Sequence, residues 1–222
     1  YLHLAAYPDV ADALCANGVT GVAYETVQAA DGALDEIVGR LSDRKQFPDV
    51  QQIVIFGHSG GGPVVQRYAL LAKEQPALKA NGIRLRYVVA NPSSYAYFNE
   101  QRPVAFDHAQ CPGFNRWKYG LADMPVYAGG QTPLQLESSY IKREVIYLLG
   151  QQDIDPNHPA LDKRCEAEAQ GAYRLERGKL YFGYLLRRHP EGVNQRLVEV
   201  PGVGHNGDGM LTSPEGQKAL FE

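Results

Sequence analysis

The chain has 222 residues, a formal net charge of −3 and 44% hydrophobic residues. That length predicts a single domain with a substantial core. The small negative charge argues against a nucleic-acid partner held by basic patches. No apolar run approaches the length of a membrane span, so no membrane-spanning segment is expected. These numbers are ordinary for a globular protein, and the function has to be sought in motifs.

Helices and strands are predicted to alternate along the chain. The predicted strands are residues 19–24, 53–56, 85–90, 144–149 and 197–200. The predicted helices are residues 8–16, a helix capped by Asp31 that reaches Leu41, residues 62–73, helical sequence within 161–189 in two pieces around Gly171, and a last helix from Pro214 to Phe221. Because the strands are nearly unbroken apolar runs, we expect a mostly parallel central sheet with helices on both faces.

The stretch Gly57-His58-Ser59-Gly60-Gly61 lies between a predicted strand and a predicted helix. A sharp turn at that position places the serine in a strained backbone conformation, with its hydroxyl exposed above the sheet edge. The glycines avoid collisions between β-carbons and the neighbouring elements. The pattern therefore predicts a nucleophilic serine. A P-loop is disfavoured because Pro63 follows the glycines, where that motif requires Lys and then Ser or Thr.

A serine nucleophile needs a base, and histidine has a suitable pKa. His205 follows the last predicted strand in a Gly-rich loop, so we expect it to be the base. His158 is a minor candidate, and His58 is expected to point away from its neighbour Ser59. The orienting acid should also follow a strand. The loop after the predicted strand 144–149 contains Asp153 and Asp155, and either of them fits.

In these pieces the chain resembles an α/β-hydrolase-fold serine hydrolase of the esterase and lipase type. The matching motifs are Gly57 to Gly61, Gly150-Gln151-Gln152-Asp153 and Gly204-His205, in the family's order. The resemblance implies a Ser59, Asp153 and His205 triad, an acyl-enzyme mechanism without a cofactor, and a small-molecule ester substrate. The family's Gly-x-x-Asp pattern favours Asp153 over Asp155. Thioester, lactone or amide hydrolysis and a catalytically silent binding protein remain alternatives.

The resemblance also implies an oxyanion hole with the backbone N–H of Gly60 as one donor. The second donor normally comes from a His-Gly loop before the first helix, but His3 is followed by Leu4. Either the natural chain extends upstream of Tyr1, or another group supplies the donor, and the first explanation is favoured. The expected organisation is a single domain over residues 1–222 that lacks N-terminal strands.

Residues 92–140 form a long, aromatic-rich, irregular stretch where this family inserts a cap over the site. Tyr95, Tyr97, Phe98 and Trp117 are expected either to line an apolar substrate pocket or to form the small core of the insertion.

The cysteines and one acidic loop are candidate sites of a disulfide and of a metal ion. Cys15 is interpreted as a buried small hydrophobe. Cys111 and Cys165 could form a disulfide, which would suggest an exported protein. The spacing Asp153-x-Asp155-x-Asn157 resembles the start of a calcium loop, but His158 and Arg164 stand where that loop needs Gly and Glu, so no metal is expected.

Overall fold

The computed structural model describes the backbone of Leu2–His3 and of residues 27–222, with side chains from residue 32 onward. The predicted helix 8–16, the predicted strand 19–24 and Cys15 lie outside the described residues. Five parallel strands form one sheet in the order β1-β2-β3-β4-β5. The strands are β1 Leu2–His3, β2 Gln52–His58, β3 Arg84–Ala90, β4 Glu144–Gly150 and β5 Gln195–Val200. The four strands that were predicted within the described residues are therefore confirmed, each with slightly wider bounds.

The described helices alternate with these strands. They are α1 Val27–Leu41, α2 Gly61–Leu71, α3 Pro76–Ala80, α4 Pro133–Tyr140, α5 Cys165–Glu168, α6 Arg174–Arg188, α7 Gly207–Thr212 and α8 Pro214–Phe221. The predicted cap at Asp31 is wrong, because α1 begins upstream at Val27 and Asp31 lies inside it. The two alanines directly before Asp31 favour helix and allow the earlier start.

Three short helices, α3, α4 and α7, were not predicted, and side chains cap the last two. At α4 the Thr132 side chain accepts from the N–H of Gln135, and the Gln135 side chain accepts from the N–H of Thr132. At α7 the Asn206 side chain accepts from the N–H of Gly209 at 2.7 Å. The first is a capping box and the second a single cap. Two of the six residues of α7 are glycines, which disfavour helix, so the sequence did not predict this helix.

Apolar residues cover both faces of the sheet. On one face, buried side chains of α1, α2, α4 and α6 pack against β2, β3 and β4. On the other face, Met210 of α7 and Ala219 and Leu220 of α8 pack against Phe56 and Ile146. The predicted fold class, a parallel sheet with helices on both faces, is confirmed.

The aromatic stretch between β3 and α4 packs onto the first of these faces. Its only regular element among the described residues is a 3-10 turn at Val126–Ala128. Tyr95 and Tyr97 are completely buried, and their rings lie 4.5 Å and 5.1 Å from the ring of Tyr181 on α6. The stretch is thus anchored in the domain core, and its role as a cap over a substrate stays a prediction.

None of the helices in the described part of the chain is long and apolar enough to cross a membrane.

Candidate active site

The chain turns sharply between β2 and α2, and Ser59 lies at this turn. Its φ of 55° is in the left-handed region, which a residue with a side chain rarely adopts. The N–H of Ser59 donates to the carbonyl of Ala90 at 3.1 Å, which fixes the turn to the end of β3. A β-carbon at Gly57 would collide with the backbone carbonyl of Gly61, so the tight turn requires glycine there. This is the strand–turn–helix geometry expected of a nucleophilic serine.

Three predicted site residues meet above the carboxyl ends of the strands. His205 Nε2 lies 2.8 Å from Ser59 Oγ. His205 Nδ1 lies 2.8 Å from Asp153 Oδ2. Asp153 is almost completely buried, and the His205 side chain is only 11% exposed. The arrangement places a hydroxyl, an imidazole and a carboxylate in one hydrogen-bonded line that is largely protected from solvent.

The second acidic candidate lies elsewhere. Asp155 is exposed, and its Oδ1 accepts from the N–H of Asn157 at 2.8 Å within the same loop. The carboxylate of Asp153 contacts His205 and Arg174, so it does not face Asp155 in a calcium-loop arrangement. The geometry therefore favours Asp153 as the partner of His205.

Arg174, the first residue of α6, is a buried neighbour that sequence analysis missed. Its Nη1 donates to Asp153 Oδ1 at 3.3 Å, and neither side chain is more than 2% exposed. Burial lowers the pKa of Arg174, and the negative charge of Asp153 opposes this effect. The residue lies in a helix with several arginines, and no spacing in the sequence distinguishes it from the others.

Asn91 joins the loops that carry the site. Its Oδ1 accepts from the N–H of Gly150 at 2.8 Å, and its Nδ2 donates to the carbonyl of Gly204 at 3.3 Å. Its φ of 45° is also in the left-handed region, which Asn tolerates better than most residues. A single buried amide thus connects the end of β3, the end of β4 and the loop of His205. From the sequence alone, Asn91 is distinguished only as the residue that follows the predicted strand 85–90.

Two further histidines flank the imidazole of His205. The ring of His58 lies 4.9 Å from it and the ring of His158 lies 4.7 Å from it, centroid to centroid. His158 Nδ1 accepts from the N–H of Ala160 at 3.1 Å. Desolvation first, and then the positive charge of the nearby Arg174, lower the pKa of His158. The ring of His158 therefore covers one side of the candidate base.

The predicted substrate-binding residues lie in a different environment. Tyr95, Tyr97 and Phe98 are at most 6% exposed and belong to the core beneath the insertion. Trp117 is half-buried and packs against the same core. Rings buried to this degree have almost no surface to offer a ligand, so the structure favours the packing role for the first three. A pocket role remains a prediction for Trp117.

The predicted oxyanion donor is the backbone N–H of Gly60. Gly60 is exposed and directly precedes the first residue of α2. The N-terminus of a helix favours negative charge, so the position suits an oxyanion. The source of the second oxyanion donor stays a prediction.

A disulfide joins Cys111 to Cys165, with Cα atoms 5.8 Å apart. It ties the aromatic stretch to α5, close to the start of α6. Among the described residues, the one cluster with three side chains of metal-ligating type is Cys111, Cys165 and Glu166. Because both of its sulfurs are in the disulfide, this cluster cannot offer thiolate ligands.

Comparisons with known proteins give local similarities in sequence and extended similarities in structure. No protein-family model matches the sequence. Alanine dehydrogenases of Mycolicibacterium smegmatis and Mycobacterium tuberculosis are 56% and 52% identical to this chain over 48 residues, which make up 19% of this chain and 13% of each dehydrogenase. The chain thus spans about an eighth of the length of these curated relatives. Most of the chain lies outside this match.

Among the solved structures that cover most of the chain, two superpose with TM-scores above 0.6. Poly(aspartic acid) hydrolase-1 from Sphingomonas sp. KT-1 superposes with a TM-score of 0.62 and 26% identity, over 86% of this chain and 63% of that protein. LpqC, a poly(3-hydroxybutyrate) depolymerase from Bordetella parapertussis, superposes with a TM-score of 0.61 and 20% identity, over 88% of this chain and 62% of that protein. The chain spans about three fifths of the length of each. Together with the parallel sheet and the serine turn, these similarities identify the fold as that of the α/β-hydrolases.

Proposed function

We propose that this chain is a serine hydrolase that cleaves a carboxylic ester through an acyl-enzyme intermediate. The observation that carries the proposal is the continuous pair of 2.8 Å contacts from Ser59 Oγ to His205 Nε2 and from His205 Nδ1 to Asp153 Oδ2. A nucleophile within reach of a base, with that base oriented by an acid, is the arrangement of covalent acyl transfer.

The proposed reaction proceeds in two halves. Ser59 Oγ attacks the ester carbonyl carbon while His205 Nε2 takes the hydroxyl proton. The N–H of Gly60 stabilises the oxyanion, and His205 returns the proton to the leaving alcohol as the C–O bond breaks. Water then attacks the acyl-enzyme, His205 takes its proton, and the acid is released as the proton returns to Ser59 Oγ. Asp153 holds the imidazole in the required tautomer and stabilises its cation.

The names of the two structural neighbours support a second candidate, hydrolysis of an amide. Poly(3-hydroxybutyrate) is joined by ester bonds, whereas poly(aspartic acid) is joined by amide bonds. The same triad chemistry serves both, because both form a tetrahedral oxyanion at a carbonyl carbon. Matched pairs of a p-nitrophenyl ester and a p-nitroanilide with the same acyl group separate the two candidates by their relative kcat/KM.

The test of the primary proposal uses a short-chain p-nitrophenyl ester and a fluorophosphonate probe. Wild type is expected to hydrolyse the ester and to take up the probe on Ser59. Ser59→Ala is expected to lose both properties. Ser138, an exposed serine on α4, provides a matched control, and Ser138→Ala is expected to retain both. Hydrolysis that survives in Ser59→Ala excludes the mechanism, and a wild type that neither turns over nor reacts with the probe favours a silent binding protein.

A further inference from the structure

The structure assigns Arg174 as a positioning residue that fixes the carboxylate of Asp153 for its contact with His205; this inference rests on the proposed function. Among the described residues, no hydrogen bond or ion pair joins Arg174 to Ser59 or His205. Its effect on the reaction would therefore pass through Asp153. The evidence lies in how the guanidinium distributes its hydrogen bonds.

The guanidinium of Arg174 makes hydrogen bonds at three points in two loops of the site. Nη1 donates to Asp153 Oδ1 at 3.3 Å, in the loop after β4. Nε donates to Ser93 Oγ at 3.2 Å, just after β3. Nη2 donates to the carbonyl of Ala160 at 2.6 Å, further along the β4 loop. A planar group held at three points has a fixed orientation, and it passes that orientation to the carboxylate.

The two oxygens of Asp153 then have different partners. Oδ1 accepts from Arg174, and Oδ2 faces His205 Nδ1 at 2.8 Å. A carboxylate with a donor on only one oxygen can rotate about its Cβ–Cγ bond, whereas donors on both oxygens hold its plane. The backbone adds a further restraint, because the N–H of Leu175 donates to the carbonyl of Asp153 at 3.2 Å. The start of α6 thus fixes both the main chain and the side chain of the proposed acid.

Comparison with Arg177 on the same helix shows that burial alone does not account for the contact between Arg174 and the carboxylate of Asp153. Both side chains are completely buried. Arg177 donates to the carbonyls of Gly171, Ser93 and Asp162. The hydrogen bonds of Arg177 thus go to main-chain oxygens, whereas Arg174 also donates to the carboxylate that contacts the proposed base. The charge of Arg174 in addition compensates the negative charge of Asp153 in a site from which water is largely excluded.

The test compares Arg174→Gln, Arg174→Lys and the matched control Arg177→Gln. Folded active sites are first counted with a fluorophosphonate, so that a loss of folded protein does not appear as a loss of rate. Per active site, Arg174→Gln is expected to lower kcat about ten- to a hundredfold with little change in KM, because misplacement of a catalytic group costs rate rather than binding. Arg174→Lys, which keeps a charge and donors, is expected to recover most of that loss. Arg177→Gln is expected to keep kcat per active site within about twofold of wild type.

A second readout does not depend on turnover. The proton between His205 Nδ1 and Asp153 Oδ2 is expected to give a low-field NMR signal in wild type that is absent from His205→Gln. Arg174→Gln should shift or broaden this signal, while Arg174→Lys and Arg177→Gln should preserve it. An unchanged signal in Arg174→Gln, or equal kcat per active site in Arg174→Gln and Arg177→Gln, overturns the inference.

A wild type without esterase activity or probe labelling instead overturns the proposed function, and the NMR comparison still decides the role of Arg174. If Arg174→Gln does not fold, Arg174→Lys decides the question. A folded Arg174→Lys variant whose kcat and low-field NMR signal differ from those of wild type would contradict the expected rescue by the lysine charge.

Discussion

His205 Nε2 lies 2.8 Å from Ser59 Oγ although 146 positions separate the two residues in the chain. The sheet register brings them together. His58 pairs with Ala90, Ala90 pairs with Leu148, and the next strand is aligned so that Gly150 pairs with Val200. Because all these strands are parallel, the loops that follow them emerge at one edge. The proposed nucleophile, acid and base therefore meet without any long excursion of the backbone.

The choice of acid is tested by two conservative substitutions. Asp153→Asn should lower kcat by about 10⁴, because an amide facing His205 Nδ1 favours the wrong imidazole tautomer. The measurement is steady-state ester hydrolysis per active site, with circular dichroism to verify folding.

Asp155→Asn is the matched control for that experiment. Asp155 is exposed, and its described side-chain contact is with the N–H of Asn157, which an amide oxygen can also accept. We expect kcat to stay within about twofold of wild type. The assignment of Asp153 is refuted if Asp155→Asn is the slower of the two variants.

The serine turn should not tolerate a β-carbon at Gly57. Gly57→Ala places a methyl group against the backbone carbonyl of Gly61 and against the Val65 side chain, so the turn has to open. We expect a loss of several-fold or more in kcat/KM and a destabilisation of about 1–3 kcal/mol, the usual cost of overpacking. Urea unfolding and ester hydrolysis measure the two effects.

Gly32→Ala is a control with the same chemistry in a permissive place. Gly32 lies inside α1, and a β-carbon there meets nothing within 4 Å among the described residues. The substitution should leave activity unchanged and stabilise the protein by about 0.5–1 kcal/mol, because alanine favours helix over glycine. Equal effects of the two alanine substitutions would show that the turn at Ser59 is looser than described.

The Cys111–Cys165 disulfide closes a loop with a sequence separation of 54. Loop-closure entropy predicts that its loss lowers the free energy of unfolding by about 4 kcal/mol. The double variant Cys111→Ser and Cys165→Ser should therefore unfold at a lower urea concentration than wild type without reductant. Adding reductant should shift the wild-type midpoint but not that of the double variant. Identical urea midpoints for wild type and the double variant, each with and without reductant, would show that the crosslink does not restrain the unfolded chain.

Glu137 should make stability depend on pH in the acidic range. Burial raises its pKa, but hydrogen bonds from Arg188 at 2.6 Å and 2.7 Å, together with His189 at 2.9 Å, outweigh burial and hold the pKa below its ordinary value. A carboxylate whose pKa is lower in the folded state stabilises the protein above its unfolded pKa, which is about 4.3, and loses that contribution as the pH falls through the folded pKa.

The free energy of unfolding of wild type should therefore exceed that of Glu137→Gln by a constant amount above about pH 5. The difference should shrink as the pH falls below about 4. Glu74→Gln, at an exposed glutamate, should show a much smaller difference from wild type throughout. Urea unfolding at a series of pH values measures all three proteins. A Glu137 difference that grows with acidity would contradict the sign of the shift.

The sequence by itself predicted strands β2 to β5, Ser59 as the nucleophile and His205 as the base, and it limited the acid to Asp153 or Asp155. Apolar runs mark the buried parts of β2, β3 and β4, because strand segments covered on both faces are apolar. A shorter run, interrupted by Glu199, marks the half-buried β5. The turn at Ser59 is visible because a left-handed serine beside a colliding carbonyl needs glycine at fixed positions. His205 was predictable because it follows a strand, and strand ends meet at one edge.

Only the tertiary structure decided what surrounds those residues. Whether Asp153 or Asp155 faces His205 depends on the path of one loop. The Gly-x-x-Asp pattern only favoured Asp153, whereas the fold brings its Oδ2 to 2.8 Å from His205 Nδ1. Arg174 and Asn91 act through contacts with residues distant in sequence, at 3.3 Å from Asp153 and 3.3 Å from the carbonyl of Gly204 respectively. The aromatic stretch, too, could have lined a pocket or filled a core, and packing against α6 placed Tyr95 in the core. Composition and spacing record which groups a chain carries, whereas burial and long-range hydrogen bonds arise only when distant segments come into contact.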